Sequence, residues 1–356
     1  MSFVPTIEID LQALRCNLDL VRRHAPNSRV MAVIKADGYG HGMLEVARAL
    51  EEADALAVAR VDEGVQLRHA QRSRRLVVLG GAHDQAEFEA AADAGLEVVV
   101  HHPHQIDLLA RSRVRRPLRC WIKLDSGMHR LGFPPFECRL RLEQMRAMES
   151  AAEVVGILTH LANADDLGDD YTKKQFERFH EAVQGMGLPV SLANSAAVLG
   201  WPDTHADWVR PGIMLYGASP FVAPLEDLQP VMTFRSRLIS VKEVERGAPV
   251  GYGGDWVAPE RMPIGVVAAG YGDGYPREVP SGTPVLVEGQ RVPIVGRVSM
   301  DTLMLDLRGV PRASVGDEVV LWGTGLPVEE IAQVARTIPY TLFCGVTPRV
   351  MRDYRS

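Results

Sequence analysis

The chain has 356 residues, 46% hydrophobic and 24% charged, the balance of an ordinary globular protein with one large or two moderate domains. Its 39 basic and 45 acidic side chains leave a net charge of −6, which disfavours a nucleic-acid partner. No window approaches the apolar length of a membrane span, and Met1-Ser2-Phe3-Val4-Pro5-Thr6 lacks a basic segment followed by an apolar run, so a cytoplasmic protein with no membrane partner is expected.

In chain order, Asp10 can cap a helix in which Leu11, Leu14, Leu18 and Val21 share one face. Short apolar runs then alternate with helical patterns. Strands are predicted at 30–35, 55–58, 76–79, 98–100, 120–124, 154–160, 190–194 and 208–210, with helices at 43–52, 63–70, 85–92, 136–148 and 173–183. Eight β units with helical crossovers argue for a (β/α)8 TIM-type barrel, whose chemistry collects at the C-terminal strand ends. Lys35, His160, Ser195 and Arg210 all fall at such ends.

The style changes where Pro220, Pro224 and Pro230 interrupt the chain. The strand predicted at 232–244 switches apolar phase between Phe234 and Ile239, which implies a bulge. Runs at 285–287 and 291–295 flank Glu288-Gly289-Gln290, a hairpin signal. Further strands are predicted at 298–307 and 318–322, and a helix at 328–336. The expected organisation is therefore α/β: a barrel over residues 1–231 and a mainly β domain over 232–356. Arg72-Ser73-Arg74-Arg75 and the arginines from Arg111 to Arg116 lie among acidic helices and read as solvated surface. Cys16, Cys120, Cys138 and Cys344 lie far apart without metal-ligand spacing, so reduced thiols and no metal site are expected.

The chemistry concentrates in a few segments. Ala32-Val33-Ile34-Lys35-Ala36-Asp37-Gly38-Tyr39-Gly40-His41-Gly42 places a lysine at the end of a buried strand, before a glycine-rich turn. A snorkelling lysine covering the strand end is the plain reading; a desolvated amine that forms a Schiff base is the functional one. Lys123-Leu124-Asp125-Ser126-Gly127-Met128-His129-Arg130-Leu131-Gly132 follows the fifth strand, and Leu158-Thr159-His160 ends the sixth. Ala193-Asn194-Ser195-Ala196-Ala197 could cap a helix or offer amides to a phosphate. Arg210-Pro211-Gly212-Ile213, Val250-Gly251-Tyr252-Gly253-Gly254, Gly270-Tyr271-Gly272-Asp273-Gly274, Gly296-Arg297-Val298-Ser299-Met300-Asp301 and Thr337-Ile338-Pro339-Tyr340 complete the set.

These segments, ordered from Lys35 to Tyr340, together resemble those of the bacterial alanine racemases. The resemblance implies interconversion of L- and D-alanine by two bases on pyridoxal 5'-phosphate. Lys35 would carry the cofactor and serve one face of Cα, and Tyr252 would serve the other. The phosphate would meet Tyr39, Ser195, Gly212, Ile213 and Tyr340, His160 would pack on the ring, and Arg210 would donate to the ring nitrogen. Arginine only donates, so that nitrogen stays unprotonated, a weaker electron sink that favours racemisation over transamination. Arg130 would face the cofactor phenolate and the substrate carboxylate, with Met300, Asp301 and Tyr271 on the substrate side; Tyr271 and Tyr340 would narrow the entrance to small side chains. A tyrosine acts as base where positive or hydrogen-bonding groups favour its phenolate, and the Arg210–His160 network is the expected source. Lys123 corresponds to a lysine that many relatives carry as an N-carbamate, an anion able to fix Arg130; unmodified, it would form a like-charge pair with Arg130, and the sequence leaves both forms open. Ser299 stands where many relatives have cysteine, a departure with no expected chemical effect. The family pattern also implies a head-to-tail homodimer with shared active sites. A barrel-type decarboxylase using the same cofactor fits Arg210 and Gly251-Tyr252-Gly253 less well, and a non-catalytic cofactor carrier does not account for residues 232–356. Supply of D-alanine for peptidoglycan and alanine catabolism both remain open.

Overall fold

The computed structural model describes residues 3–71, 73–148 and 151–356; Met1, Ser2, Arg72, Glu149 and Ser150 lie outside the described residues. The chain divides into two compact units. One comprises Asn17–Gly38 and Gly42–Leu215, the other the residues up to Cys16, Tyr39–His41 and Tyr216–Ser356.

The first strand, β1 (Thr6–Asp10), belongs to the second unit. The first unit is a closed parallel barrel of β2 (Arg29–Val33), β3 (Ala55–Val58), β4 (Leu76–Val78), β5 (Glu97–Val100), β6 (Leu118–Lys123), β7 (Ala152–Leu158), β8 (Val190–Ser191) and β9 (Trp208–Val209). Closure comes from β2 pairing with β9, Arg29 opposite Trp208 and Val30 opposite Val209. Strands covered on both faces read as unbroken apolar runs rather than alternation, and Ala55–Val58, Leu76–Val78 and Val98–Val100 are all buried. Trp121 and Trp208 meet edge to face in the interior, ring centroids 6.1 Å apart.

All eight barrel strands occur where the sequence predicts them, with ends shifted by a few residues. Helix Pro103–Arg111 was not expected, although a proline in its first turn and a His102 ring nitrogen that accepts the His104 N–H at 3.2 Å mark its start. The predicted cap at Asp10 is present, its Oδ1 accepting the Ala13 amide at 2.8 Å.

The second unit is mainly β. It contains β10 (Met232–Val244), β11 (Pro249–Val250), β12 (Trp256–Val257), β13 (Met262–Val267), β14 (Pro284–Val287), β15 (Gln290–Val295), β16 (Leu303–Asp306), β17 (Glu318–Trp322) and β18 (Met351–Arg355). The long β10 holds the sheet together. It pairs with β1, β17 and β13 along successive stretches, so that β10, β13, β16, β15, β14 and β17 return on themselves. The expected bulge lies between Leu238 and Ser240, with Ile239 turned outward. The expected hairpin is β14–β15, and its turn residues Glu288 (φ 47°) and Gly289 (φ 76°) suit a tight hairpin.

The two compact units divide the chain differently from the expected domains 1–231 and 232–356. β1 pairs antiparallel with β10 and parallel with β18, burying Ile7 and Ile9, so the first strand belongs with the β unit and not with the barrel. That unit also resumes at Tyr216, before Met232, because Val231 donates to the Tyr216 carbonyl and Asp10 to the Val231 carbonyl. The strand predicted at 298–307 is paired only over Leu303–Asp306.

Candidate active site

The barrel brings Lys35, Lys123, Arg130, His160 and Arg210 within electrostatic range of one another at the C-terminal ends of β2, β6, β7 and β9. Lys35 stands two residues beyond β2, where Val33 donates to the Pro211 carbonyl and Ile34 to the Ala57 carbonyl, both near 2.8–2.9 Å. The backbone then runs left-handed through four residues: Ala36 (φ 54°), Asp37 (φ 54°), Gly38 (φ 63°) and Tyr39 (φ 51°). Each non-glycine residue there costs about 1–2 kcal/mol, so the turn must be held from outside. Glu63 does this by accepting the Ala36 amide at 2.8 Å, and Asp37 by accepting the Met43 amide at 2.9 Å.

Arg210, one residue past β9, is buried. Its guanidinium donates to the Ser191 hydroxyl at 2.6 Å, to the Leu192 carbonyl at 3.3 Å and to the Thr159 carbonyl, and it lies 3.4 Å from Nδ1 of His160. Burial lowers it to about 10, which leaves it a cation at neutral pH. Lys123 is 8% exposed and lowered to about 8, first by burial and then by the charges of Arg210 and Arg130. His160 is driven well below its usual range by burial, Arg210 and Lys123, so its ring is neutral. Asp125 is committed to its own loop, its Oδ1 accepting the Gly127 and His129 amides at 3.0 and 2.9 Å.

Ser195 is not the cap of the following helix. That role falls to Asn194, which accepts the Ala197 amide at 3.0 Å, and Ser195 is the first helical residue. The Ser195 oxygen accepts the amides of Gly212 at 2.9 Å and Met214 at 3.3 Å. With two N–H groups on its oxygen, the hydroxyl keeps its own proton to donate. Gly212 and Ile213 are buried beside it.

In the β unit, Tyr39 stacks on Tyr216 at 4.7 Å and lies 5.8 Å from Tyr340. Burial, with Tyr340 and Cys344 adding to it, raises the Tyr39 phenol far above its ordinary value, so it stays a neutral donor. Gly40 has no room for a side chain, since a Cβ would come 2.1 Å from the Phe343 carbonyl oxygen. Tyr252 lies in the turn between β11 and β12 and is 68% exposed. The Tyr271 and Gly272 amides donate to the carbonyls of Ser299 and Met300, which brings Tyr271, Met300 and Asp301 into one surface region. Arg349, which the sequence did not single out, donates to Asp301 at 2.6 Å and lies 3.5 Å from Asp273. Ser126, Thr159, Gln175 and Glu63 were missed as well. Their signal is a contact between distant loops, which no local pattern records.

A lysine and a buried arginine at the strand ends of a parallel barrel, followed by a mainly β unit, define the class. The alanine racemase N-terminal domain family matches residues 9–220, and the C-terminal domain family residues 231–354. The alanine racemase of Nitrosococcus oceani is 52% identical over 99% of both chains, and that of Halorhodospira halophila 50% identical over 99% of this chain and 98% of the relative. Among solved structures, the biosynthetic alanine racemase of Pseudomonas aeruginosa superposes with a TM-score of 0.95 at 42% identity, covering 100% of both chains. That of Bartonella henselae, with covalently bound pyridoxal phosphate, gives 0.90 at 28% identity, covering 99% of both. The chain belongs to the alanine racemase family, and it is an isomerase.

Proposed function

We propose that the protein interconverts L- and D-alanine in the cytoplasm on pyridoxal 5'-phosphate attached to Lys35, in the direction that supplies D-alanine for peptidoglycan. One observation carries this reading. Three cations, Lys35, Arg130 and Arg210, act on one neutral histidine at the barrel mouth, while Asp125 accepts the amides of its own loop. Such a cluster calls for an anionic occupant, and a phosphorylated cofactor with a carboxylate substrate supplies two anions. The free hydroxyl proton of Ser195 and the neutral phenol of Tyr39 suit a phosphate, and the covalently bound cofactor of the Bartonella henselae relative supports a covalent attachment. The biosynthetic role of the Pseudomonas aeruginosa relative supports the direction of supply.

Bound pyridoxal phosphate supplies an electron sink that makes the Cα proton of an amino acid acidic. The Lys35 amine takes or returns that proton on one face, and the Tyr252 phenol serves the opposite face. Arg130 holds the substrate carboxylate, and Arg210 donates to the ring nitrogen. Tyr39, Ser195, Gly212, Ile213 and Tyr340 hold the phosphate, and His160 packs on the ring. Met300, Asp301 and Tyr271 line the substrate side, where Tyr271 and Tyr340 restrict the side chain. Lys123 is carbamylated: its neutral amine forms a bond to the carbon of carbon dioxide, a proton leaves to solvent, and the resulting anion faces Arg130. Two chains form a head-to-tail homodimer in which each Tyr252 completes the partner's site, a role that its high exposure supports. The decisive assay follows purified protein with L-alanine for D-alanine formation, alongside L-serine, L-lysine and L-arginine. Absence of D-alanine with cofactor present overturns the reading.

A further inference from the structure

Helix Tyr171–Val183 presents three polar side chains at positions i, i+4 and i+7, which lie on one face. All three grip the loop after β6. The Tyr171 hydroxyl donates to the Gly127 carbonyl at 2.7 Å, Gln175 donates to the Ser126 hydroxyl at 3.3 Å, and Arg178 reaches the Ser126 carbonyl at 3.5 Å. The approach is close enough that Gly127, at φ 144°, would place a Cβ 2.7 Å from the Tyr171 oxygen. Three residues further on, this loop carries Arg130.

Gln175 does more than hold that loop. It is 0% exposed, and its carboxamide also donates to the His160 carbonyl at 3.2 Å while accepting the Ala162 amide at 2.7 Å. Three of its four hydrogen-bonding positions are filled, all by the two loops after β6 and β7. The chain of bonds continues inward. Ser126 and Thr159 share a hydrogen bond of 2.9 Å, Thr159 donates to the Leu124 carbonyl at 2.9 Å, and the Thr159 carbonyl accepts from Arg210. Buried networks of this kind fix geometry because every member left unpaired is costly.

We propose that the Tyr171–Gln175–Arg178 face is a clamp that sets the position of Arg130 toward the substrate carboxylate, with Gln175 as its central positioning residue. This rests on the proposed role of Arg130. Gln175 touches no substrate and acts through the loop. Replacing it with glutamate keeps the shape and the acceptor toward Ala162, but turns an acceptor toward the His160 carbonyl and the Ser126 hydroxyl.

The experiment uses holoenzyme and two readouts, KM for L-alanine and the dissociation constant of propionate, a carboxylate with no amine to react. Gln175→Glu is expected to raise both about tenfold with kcat changed far less, and Tyr171→Phe about threefold, since each removes hydrogen bonds of modest net strength. In an Arg130→Ala background Tyr171→Phe should add nothing, because the Tyr171 hydroxyl bonds only the loop that carries Arg130, and Gln175→Glu should keep only the smaller loss that its bond to the His160 loop transmits. Should Gln175→Glu fail to fold, Tyr171→Phe carries the same cycle. Equal losses with and without Arg130, or unchanged KM and propionate binding, overturn the clamp. An Arg130→Ala enzyme that binds propionate as wild type does overturns the role of Arg130 and the clamp together, whereas a normal Arg130 effect beside inert Gln175 and Tyr171 variants overturns the clamp alone.

Discussion

Lys123 offers a test that can be worked from the structure. As an unmodified ammonium it is buried, at 8% exposure, beside Arg210 and Arg130, and is lowered from 10.5 to about 8. That fall corresponds to about 3 kcal/mol of destabilisation while the group is charged. Below about pH 8 both folded and unfolded chains hold the proton, and the full penalty is present. Between about 8 and 10.5 the unfolded chain binds more protons, so stability rises with pH, and above 10.5 the penalty is gone. Carbamylation removes the cation altogether and sets an anion against two guanidiniums. Urea unfolding at neutral pH should therefore show wild type up to about 3 kcal/mol more stable in bicarbonate than in buffer stripped of carbon dioxide. Lys123→Met should show no bicarbonate effect, and without carbon dioxide it should be more stable than wild type. Wild type that unfolds identically with and without bicarbonate, and loses no activity on stripping, would refute the carbamate. A Lys123→Met chain no more stable than stripped wild type would refute the penalty.

Three further outcomes are expected. Borohydride reduction followed by peptide mapping should place the pyridoxyl group on Lys35; a label on Lys123 would sink that assignment. Mixing Lys35→Ala with Tyr252→Phe under subunit exchange should restore about a quarter of wild-type activity, since random pairing makes half the dimers mixed and each mixed dimer has one intact site; activity that stays at the single-mutant level after verified exchange refutes the shared site. Gly156→Ala should destabilise the barrel by about 1–3 kcal/mol, because the added Cβ would fall 2.2 Å from the Trp121 ring, and thermal melts at unchanged midpoint would contradict that packing.

How far the sequence discloses this architecture depends on where each signal lives. The barrel was legible because its buried strands are short continuous apolar runs separated by amphipathic helices, and period and length suffice to see them. The bulge at Ile239 was legible because one extra residue flips the apolar phase. β13 was obscured by Pro263 and Gly265, and β18 reads Met-Arg-Asp-Tyr-Arg with no apolar face. The placement of β1 is a question of partner: nothing within Thr6–Asp10 says that its neighbours are Met232–Arg235 and Met351–Arg355. The site divides in the same way. The residues proposed to do chemistry sit in short motifs and are singled out by their resemblance to a family. The residues that hold them, Glu63 under the left-handed turn, Gln175 under two loops and Arg349 on Asp301, lie outside those motifs and became visible only as hydrogen bonds.

His160 shows what those bonds add to the chemistry. Arginine can only donate, so the 3.4 Å approach of Arg210 to Nδ1 makes that nitrogen the acceptor. The ring is neutral, which puts its single proton on Nε2. A general base needs a free lone pair and a tendency to hold the proton it takes. Here the only lone pair faces Arg210, and a second proton would place an imidazolium beside Lys35, Arg130 and Arg210. His160 is therefore a hydrogen-bond donor, ill suited to serve as the second base of the proposed two-base mechanism. The family resemblance assigns that role to Tyr252, on the β unit and largely exposed, which is why the complementation between Lys35→Ala and Tyr252→Phe bears on the chemistry and the assembly at once.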